Sequence, residues 1–253
     1  MKISASIVIY KENKETLKKI MDSFLSIIYT KKELIIIDNS PTEELKTFCQ
    51  SFENVKYIFS GKNLGFGAGH NLAFKKLKEK SDIHIIINPD IYFDGTKITD
   101  FLKWFYNTKN ISLCTTKVCY PDGTNQNIVR NIPTFLDLLK RKFKITTGEI
   151  EIDDNSIQEI PFAHGCFLVF KTEVFKELNG FDGRFFMYME DIDIFMRAKK
   201  YGKTVINTNY RIFHEFRKGS SKSFKLLKFH LISAYKFFKK YWNINLKDYN
   251  RKL

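Results

Sequence analysis

Two polar triplets stand where a chain turns from apolar to functional. Asp38-Asn39-Ser40 follows the apolar run ELIIID (33–38), and Asn88-Pro89-Asp90 follows DIHIIIN (82–88). A carboxylate just past a strand can accept hydrogen bonds from a base or ribose. A second can hold a divalent cation bridging a diphosphate, because Mg²⁺ and Mn²⁺ prefer oxygen ligands. Either Asp alone could simply cap a turn; two in the same relative placement argue for more. A third cluster is denser: Phe181-Asp182-Gly183-Arg184-Phe185-Phe186-Met187-Tyr188-Met189-Glu190-Asp191-Ile192-Asp193. Three carboxylates at a helix start would compensate its dipole. Aromatic residues crowd the approach, however, and a partly desolvated carboxylate is what a general base requires. Glu190 and Asp193, three apart, share a helical face and Asp191 points elsewhere. The spacing does not choose among them.

Between the triplets lies Asn63-Leu64-Gly65-Phe66-Gly67-Ala68-Gly69-His70-Asn71, a glycine-rich turn entering a helix. Glycine lets backbone approach a ligand, and helix N-termini attract anions. The segment is not GxGxxG, does not follow the first strand and lacks the Lys-Ser/Thr of a P-loop. A dinucleotide oxidoreductase or an NTPase is therefore poorly supported. A tight packing turn is the plain alternative.

The elements that must position these groups alternate. SASIVIY (4–10), ELIIID, VKYIF (55–59) and DIHIIIN read as strands, and Asn13 caps a helix with Leu17, Ile20, Met21, Phe24 and Leu25 at helical spacing. Ser40-Pro41-Thr42-Glu43 reads as a capping box, which predicts a helix directly after Asp38. A further helix is expected over 71–80. This succession implies an α/β fold with a doubly wound, mainly parallel sheet flanked by helices. Ligands of such sheets bind beyond the carboxyl ends of the strands, the rim where Asp38 and Asp90 fall. Downstream, 112–118, 166–170, 203–207 and 210–214 read as strands, a helix runs from about Glu190 to Tyr201, and 143–159 reads as a mobile loop.

At 253 residues with 15% aromatics the chain can bury a substantial core, so disorder is excluded. Cys49, Cys114, Cys119 and Cys166 lack CxxC spacing and read as reduced thiols. No apolar run reaches the ~18 residues that span a bilayer. The start, MKISASIVIYKEN, reads as core strand rather than signal peptide, so a cytoplasmic protein is expected. The net charge of +14 is uneven: residues 211–253 hold 12 of the 42 Lys+Arg and 2 of the 28 Asp+Glu. An anionic partner should be sought at that tail. Residues 224–242 form an amphipathic helix. Leu227, Leu231, Ala234, Tyr235, Phe238, Tyr241 and Trp242 fall on the side expected to dock. Lys225, Lys228, Lys236, Lys239 and Lys240, with Phe229 and Ile232, fall on the side expected to meet an anionic membrane surface. Nucleic acid is the rival anion, but no RNP-like or helix-turn-helix signature accompanies the charge.

The set SIVIY…DNS, NLGFGAGHN, NPDIYF, GFDGRFFMYMEDIDIFMR and the following His214, in order over roughly residues 4–242, resembles family 2 glycosyltransferases of the GT-A fold. Within that family it is similar to the bacterial rhamnosyltransferase-like branch. The resemblance implies a GT-A domain over 1–214, with a nucleotide-binding half (1–110) and an acceptor-binding half (111–214), then a basic amphipathic extension over 215–253. Asp38 would contact the nucleotide base, with Ile9, Tyr10 and Lys11 lining its pocket and Asn63, Gly65, Gly69 and Asn88 around the nucleotide. Asp90 would coordinate Mg²⁺ or Mn²⁺ on the diphosphate, Asn88 replacing the first Asp of the family's DxD motif. His214 matches a position that assists the metal or diphosphate in some relatives. Asp191 matches the general base, with Glu190 and Asp193 supporting it or contacting acceptor hydroxyls. The implied reaction is one inverting displacement on a nucleotide-diphosphate sugar. The branch suggests dTDP-L-rhamnose; UDP-hexose and UDP-N-acetylhexosamine are alternatives. The acceptor would be a surface-polysaccharide glycan, or one linked to polyprenyl diphosphate, placing the protein at the inner face of the plasma membrane. A non-catalytic glycan-binding relative is the alternative from another class.

Overall fold

The computed structural model describes residues 1–142, 145, 147–215 and 224–250. The chain begins β1 (Ile3–Ile9), α1 (Lys14–Leu25), β2 (Lys32–Asp38), α2 (Lys46–Gln50), β3 (Val55–Phe59), α3 (Phe66–Lys75) and β4 (Ile83–Ile87). Then follow β5 (Ile91–Tyr92), α4 (Gly95–Asn107), β6 (Ile111–Cys119), β7 (Val129–Arg130), α5 (Phe135–Lys142), β8 (Ile157–Glu159) and β9 (Phe162–Ala163). The last elements are β10 (Phe167–Lys171), α6 (Thr172–Glu177), α7 (Glu190–Ala198), β11 (Lys203–His214), α8 (Phe224–Lys240) and α9 (Leu246–Asn250).

One large sheet has the order β3-β2-β1-β4-β10-β6-β11-β5, with β8 on β11. Strands β1 to β4 are mutually parallel, so their carboxyl ends share a rim. β10 runs antiparallel to both β4 and β6, and β6 runs parallel to β11. Two reversals restore the direction, and His214 at the end of β11 returns to the rim that carries Asp38 and Asp90. The sheet is thus parallel in its first half and mixed in its second. Alternation explains its two layers: Ile3, Ile7 and Ile9 of β1 pack with Leu17, Ile20 and Phe24 of α1 in the main core, whereas Ile35 and Ile37 of β2 pack with Ala73 of α3 on the other face. All four cysteines are buried and free.

Three local expectations are corrected. Residues 40–45 form a loop, and α2 starts only at Lys46. The capping pattern is defeated because Ser40 Oγ accepts the N–H of Lys11 (2.7 Å) and the Ser40 N–H goes to Asp38 Oδ1 (2.8 Å). α3 begins earlier than expected and absorbs most of the glycine-rich turn. Of the expected loop over 143–159, residues 143, 144 and 146 lie outside the described residues, as do 216–223 and 251–253 of the extension.

The third correction concerns α8. Its buried residues are Ser233, Ala234 and Phe237, with Tyr241 just beyond its end. Phe229, expected outside, packs on Phe186 at 4.7 Å between ring centroids. Leu227, Leu231, Tyr235 and Trp242, expected to dock, are exposed. Lys236 and Lys240 do not face away: Lys236 Nζ donates to the carbonyl of Arg184 (2.7 Å) and Lys240 Nζ pairs with Asp182 (2.7 Å). Polar anchors on the domain, invisible in the helix's own periodicity, rotate it. Among the described residues, no helix is long and apolar enough to cross a membrane.

Candidate active site

The nucleotide side of the rim is built from strand ends. Asp38 is buried, and its oxygens accept from Ser40 N–H (2.8 Å) and from the Tyr57 hydroxyl (2.6 Å). Burial, reinforced by the Asp38 carboxylate, pushes the Tyr57 hydroxyl well above its usual range, so it stays a donor. Asp38 lines a cleft of about 450 Å³ with Lys11, Ser40, Pro41, Thr42 and Leu45. Lys11 adopts the left-handed conformation (φ 53°), which turns the chain out of β1, and Tyr10 beside it is exposed. Ile9 is corrected: its side chain is in the core, and only its carbonyl serves the rim, accepting from Asn39 N–H (2.9 Å).

The glycine-rich segment is a packing device. A Cβ on Gly69 would lie 2.6 Å from Val8 Cγ2, and one on Gly65 (φ +83°) would lie 2.1 Å from the carbonyl of Phe186. That carbonyl also accepts the N–H of Phe66 (3.0 Å), engaging the first amide of α3. Gly65 and Gly69 therefore face protein rather than a ligand, which corrects their assignment to the nucleotide. Asn63 Oδ1 accepts from Gly65 N–H (2.9 Å) and so shapes the turn. His70 turns inward as well, bonded to Ser6 Oγ (2.8 Å).

Asp90 and His214 meet at the rim. Asp90 Oδ1 and His214 Nε2 are 3.1 Å apart, and His214 Nδ1 lies 3.0 Å from Gln126 Oε1. With Nδ1–H donated to that carbonyl oxygen, Nε2 presents a lone pair beside a carboxylate oxygen. Two acceptors at that distance call for a cation or a proton between them. Two ligand atoms at right angles on an ion with ~2.1 Å bonds would stand ~3.0 Å apart, so the pair fits a divalent cation. No third His, Cys, Asp or Glu among the described residues completes a metal cluster. Oxygens of a substrate or water would have to fill the remaining positions.

The acidic cluster divides by function. Tyr188 and Met189 both take left-handed backbone (φ 69° and 68°), a conformation that costs roughly 1–2 kcal/mol per residue and clusters at active sites. The turn they make throws Glu190 and Asp191 onto the rim at the start of α7. Glu190 is buried with Oε2 unpartnered; burial, and then the neighbouring charge of Asp191, raise its carboxyl far above the ordinary range. Asp191 is raised too, by burial, against the backbone amides of Ile192 and Gly165 and the charge of Arg130, which lower it. Desolvation beats the helix dipole here. Cys166, which precedes β10, feels both Asp90 and Asp191: burial, then those two charges, push its thiol up to about 12. A Cβ on Gly165, the residue before Cys166, would lie 3.6 Å from Asp191 Cβ, so the approach to β10 touches the acidic pair. Cys166 O also accepts the N–H of Asn88 (2.8 Å), tying the two strand ends together.

Asp193 is corrected. It is fully buried, and its carboxylate is taken by Arg197 Nε (2.7 Å), the Tyr241 hydroxyl (2.7 Å) and Lys240 Nζ. It cannot meet an acceptor; it locks α7 to the C-terminal helix. Sequence reasoning missed Tyr57, Gln126 and Arg130. Tyr57 stood in a recognised strand, but Gln126 lies in irregular chain and Arg130 in the two-residue β7, neither with a local signal.

Comparison with known proteins shows the family and the fold. The sequence model of glycosyl transferase family 2 matches residues 4–179. Rhamnosyltransferase WbbL of Escherichia coli (strain K12) is 25% identical over 260 residues, covering 97% of this chain and 96% of its own. N-acetylglucosaminyl-diphospho-decaprenol L-rhamnosyltransferase of Mycobacterium tuberculosis (strain H37Rv) is 25% identical over 188 residues, 67% of this chain and 61% of that protein. Low-salt glycan biosynthesis hexosyltransferase Agl10 of Haloferax volcanii is 24% identical over 200 residues, 78% and 62%. The fold is that of GalNAc-T7 solved with UDP, GalNAc and Mn²⁺ (TM-score 0.73, 16% identity, 98% of this chain but 50% of that one). The mannosyltransferase PcManGT of Pyrobaculum calidifontis, solved with GDP-Man and Mn²⁺, is also similar (TM-score 0.61, 14% identity, 86% and 58%).

Proposed function

Because the chain belongs to glycosyl transferase family 2 and is a glycosyltransferase, we propose that it moves one sugar from a nucleoside-diphosphate donor to a glycan hydroxyl, with inversion. The observation that carries this reading is the Asp90–His214 pair beside the strand end where Asn88 bonds Cys166 and Asp191 packs on Gly165, on the rim that also bears Asp38. Asp38 and the exposed Tyr10 ring take the base in the cleft after β1 and β2. Asp90 and His214 would hold a divalent cation, which would supply positive charge against the charge growing on the leaving diphosphate. Asp191, less buried than Glu190, removes the acceptor hydroxyl's proton as that oxygen attacks the anomeric carbon from the opposite face. Glu190 keeps its proton through burial, so the pair carries one charge and not two. One carboxylate suffices, since no covalent intermediate forms.

The donor is dTDP-L-rhamnose: the names of the bacterial relatives support the rhamnosyl group, and the dTDP carrier rests on the resemblance to that branch. A UDP-hexose is the second reading, its hexosyl group supported by the name of the hexosyltransferase relative. The acceptor is a glycan on polyprenyl diphosphate, as the mycobacterial relative's name suggests, and such an acceptor would be met at the inner face of the plasma membrane.

A thermal-shift screen of nucleotide sugars with Mn²⁺, Mg²⁺ or a chelator tests the reading. A donor at 100 times its dissociation constant stabilises by about 2.7 kcal/mol. For a chain this size that is about 5–10 °C in Tm, and chelation should reduce it. Stabilisation by no nucleoside diphosphate, with or without metal, would overturn the reading.

A further inference from the structure

α8 has apolar residues on two faces, and the fold uses one. The inner face sets Phe229, Ala234 and Phe237 against the domain. The outer face exposes Phe224 (88%), Leu231 (58%) and Tyr235 (67%), and Trp242 (83%) follows at its end. Phe224, Leu227, Leu231 and Tyr235 recur at steps of three and four, one stripe about 17 Å long. Phe135 and Leu136 of α5, both exposed, widen it where Phe135 meets Phe238 edge-on at 5.8 Å. Single exposed apolar side chains are ordinary; a contiguous set marks an interaction site.

Charge decides what covers it. Lys225, Lys228 and Lys239 are exposed on the same helix, residues 224–242 contain no Asp or Glu, and Arg217, Lys218 and Lys222 precede it in the sequence. A second copy would bring lysine against lysine. A bilayer with anionic headgroups matches both features at once: apolar side chains enter the acyl boundary and lysines meet the headgroups. We propose that the outer face of α8, with Phe135 and Leu136, seats this protein on an anionic lipid surface.

The inner face gives the seat a catalytic meaning, one that rests on the glycosyltransferase reading above. Ser233 Oγ donates to the carbonyl of Met187 (2.8 Å) and His230 packs edge-on against Tyr188 at 5.2 Å. Those residues begin the turn that presents Glu190 and Asp191. One helix, about 10 Å thick, thus separates the bilayer from that turn. An acceptor held by a lipid reaches Asp191 without leaving the membrane.

Flotation of the full chain with vesicles of phosphatidylglycerol and phosphatidylcholine, against phosphatidylcholine alone, tests the seat. The wild type should float with the anionic vesicles. The triple variant Leu231→Ser, Tyr235→Ser, Trp242→Ser should bind at least tenfold more weakly. Lys225→Gln, Lys228→Gln, Lys239→Gln should lose the anionic preference, by about fivefold per lysine. Both variants should keep donor-induced stabilisation and turnover on a water-soluble acceptor. Wild type that ignores anionic vesicles, or binding unchanged in both variants, overturns the seat. So does a wild-type dimer in sedimentation that the apolar triple variant dissolves, since a second copy would then cover the face. If vesicles bind but no nucleotide sugar does, the seat stands and the enzymatic reading falls.

Discussion

Asp38 and Asp191 lie on one rim in different settings. Asp38 ends a strand with both oxygens already accepting hydrogen bonds, from Ser40 and from Tyr57. Asp191 starts a helix beside Glu190, whose Oε2 is buried without a partner, and burial lifts both carboxyls above their ordinary range. A carboxylate fixed by two donors is built to receive a third group in a set geometry, which is binding. A pair left short of partners in a low dielectric is built to exchange protons. The same residue type is thus given two tasks by its surroundings.

Asp193 sharpens the contrast, because it sits two residues beyond Asp191 yet is paired like a structural group. Asp193→Ala leaves Arg197 and Lys240 facing each other without their shared carboxylate. Removing one partner of a buried ion pair costs about 3–5 kcal/mol, so Tm should fall by about 10 °C or more in calorimetry. Unchanged Tm with lost acceptor affinity would restore Asp193 to the acceptor site and break the distinction.

The smaller effect concerns Glu190. Its folded-state carboxyl is raised above its unfolded value, so its contribution to stability is fully present at low pH and is lost as pH rises through the raised range. Wild-type stability should therefore decline across that window, by at most about 1.4 kcal/mol per pH unit for one proton. Glu190→Gln should lessen the decline to the part that the raised Asp191 carboxyl contributes, while matching wild type near pH 4. Activity should carry the same signature: because Asp191 is raised, the acid limb of kcat should lie above the ordinary carboxylate range. Denaturant titrations at several pH values check the first and pH–rate profiles the second. Identical pH slopes in the variant and wild type would remove the electrostatic difference between the two regions.

What the sequence showed was local. The four parallel strands were legible from their β-branched runs, two of which ended in polar triplets, and Asn13 announced α1, its Oδ1 accepting the N–H of Thr16 at 2.8 Å. The positions of Asp38 and Asp90 on one rim followed from the strand succession alone. What stayed hidden depended on partners far along the chain. Asp193 meets Lys240 and Tyr241 across nearly fifty residues, His214 meets Gln126 across 88, and the Ser40 capping pattern lost to Lys11 from a neighbouring strand. The faces of α8 were only partly legible for the same reason: Ala234 and Tyr241 dock as expected, but the domain's carbonyls and Asp182 rotate the helix so that Leu227, Leu231, Tyr235 and Trp242 turn outward.

Donor titration by calorimetry, with and without Mn²⁺, on wild type, Asp38→Asn, Asp90→Asn and Asp191→Asn tests most directly whether the three carboxylates serve one site. Asp38→Asn should weaken donor binding at least tenfold whether or not Mn²⁺ is present. Asp90→Asn should abolish only the part that Mn²⁺ adds. Asp191→Asn should bind donor as wild type does while turnover falls about 10²–10⁴-fold. Equal donor affinity in all four proteins would contradict a single site served by these three carboxylates.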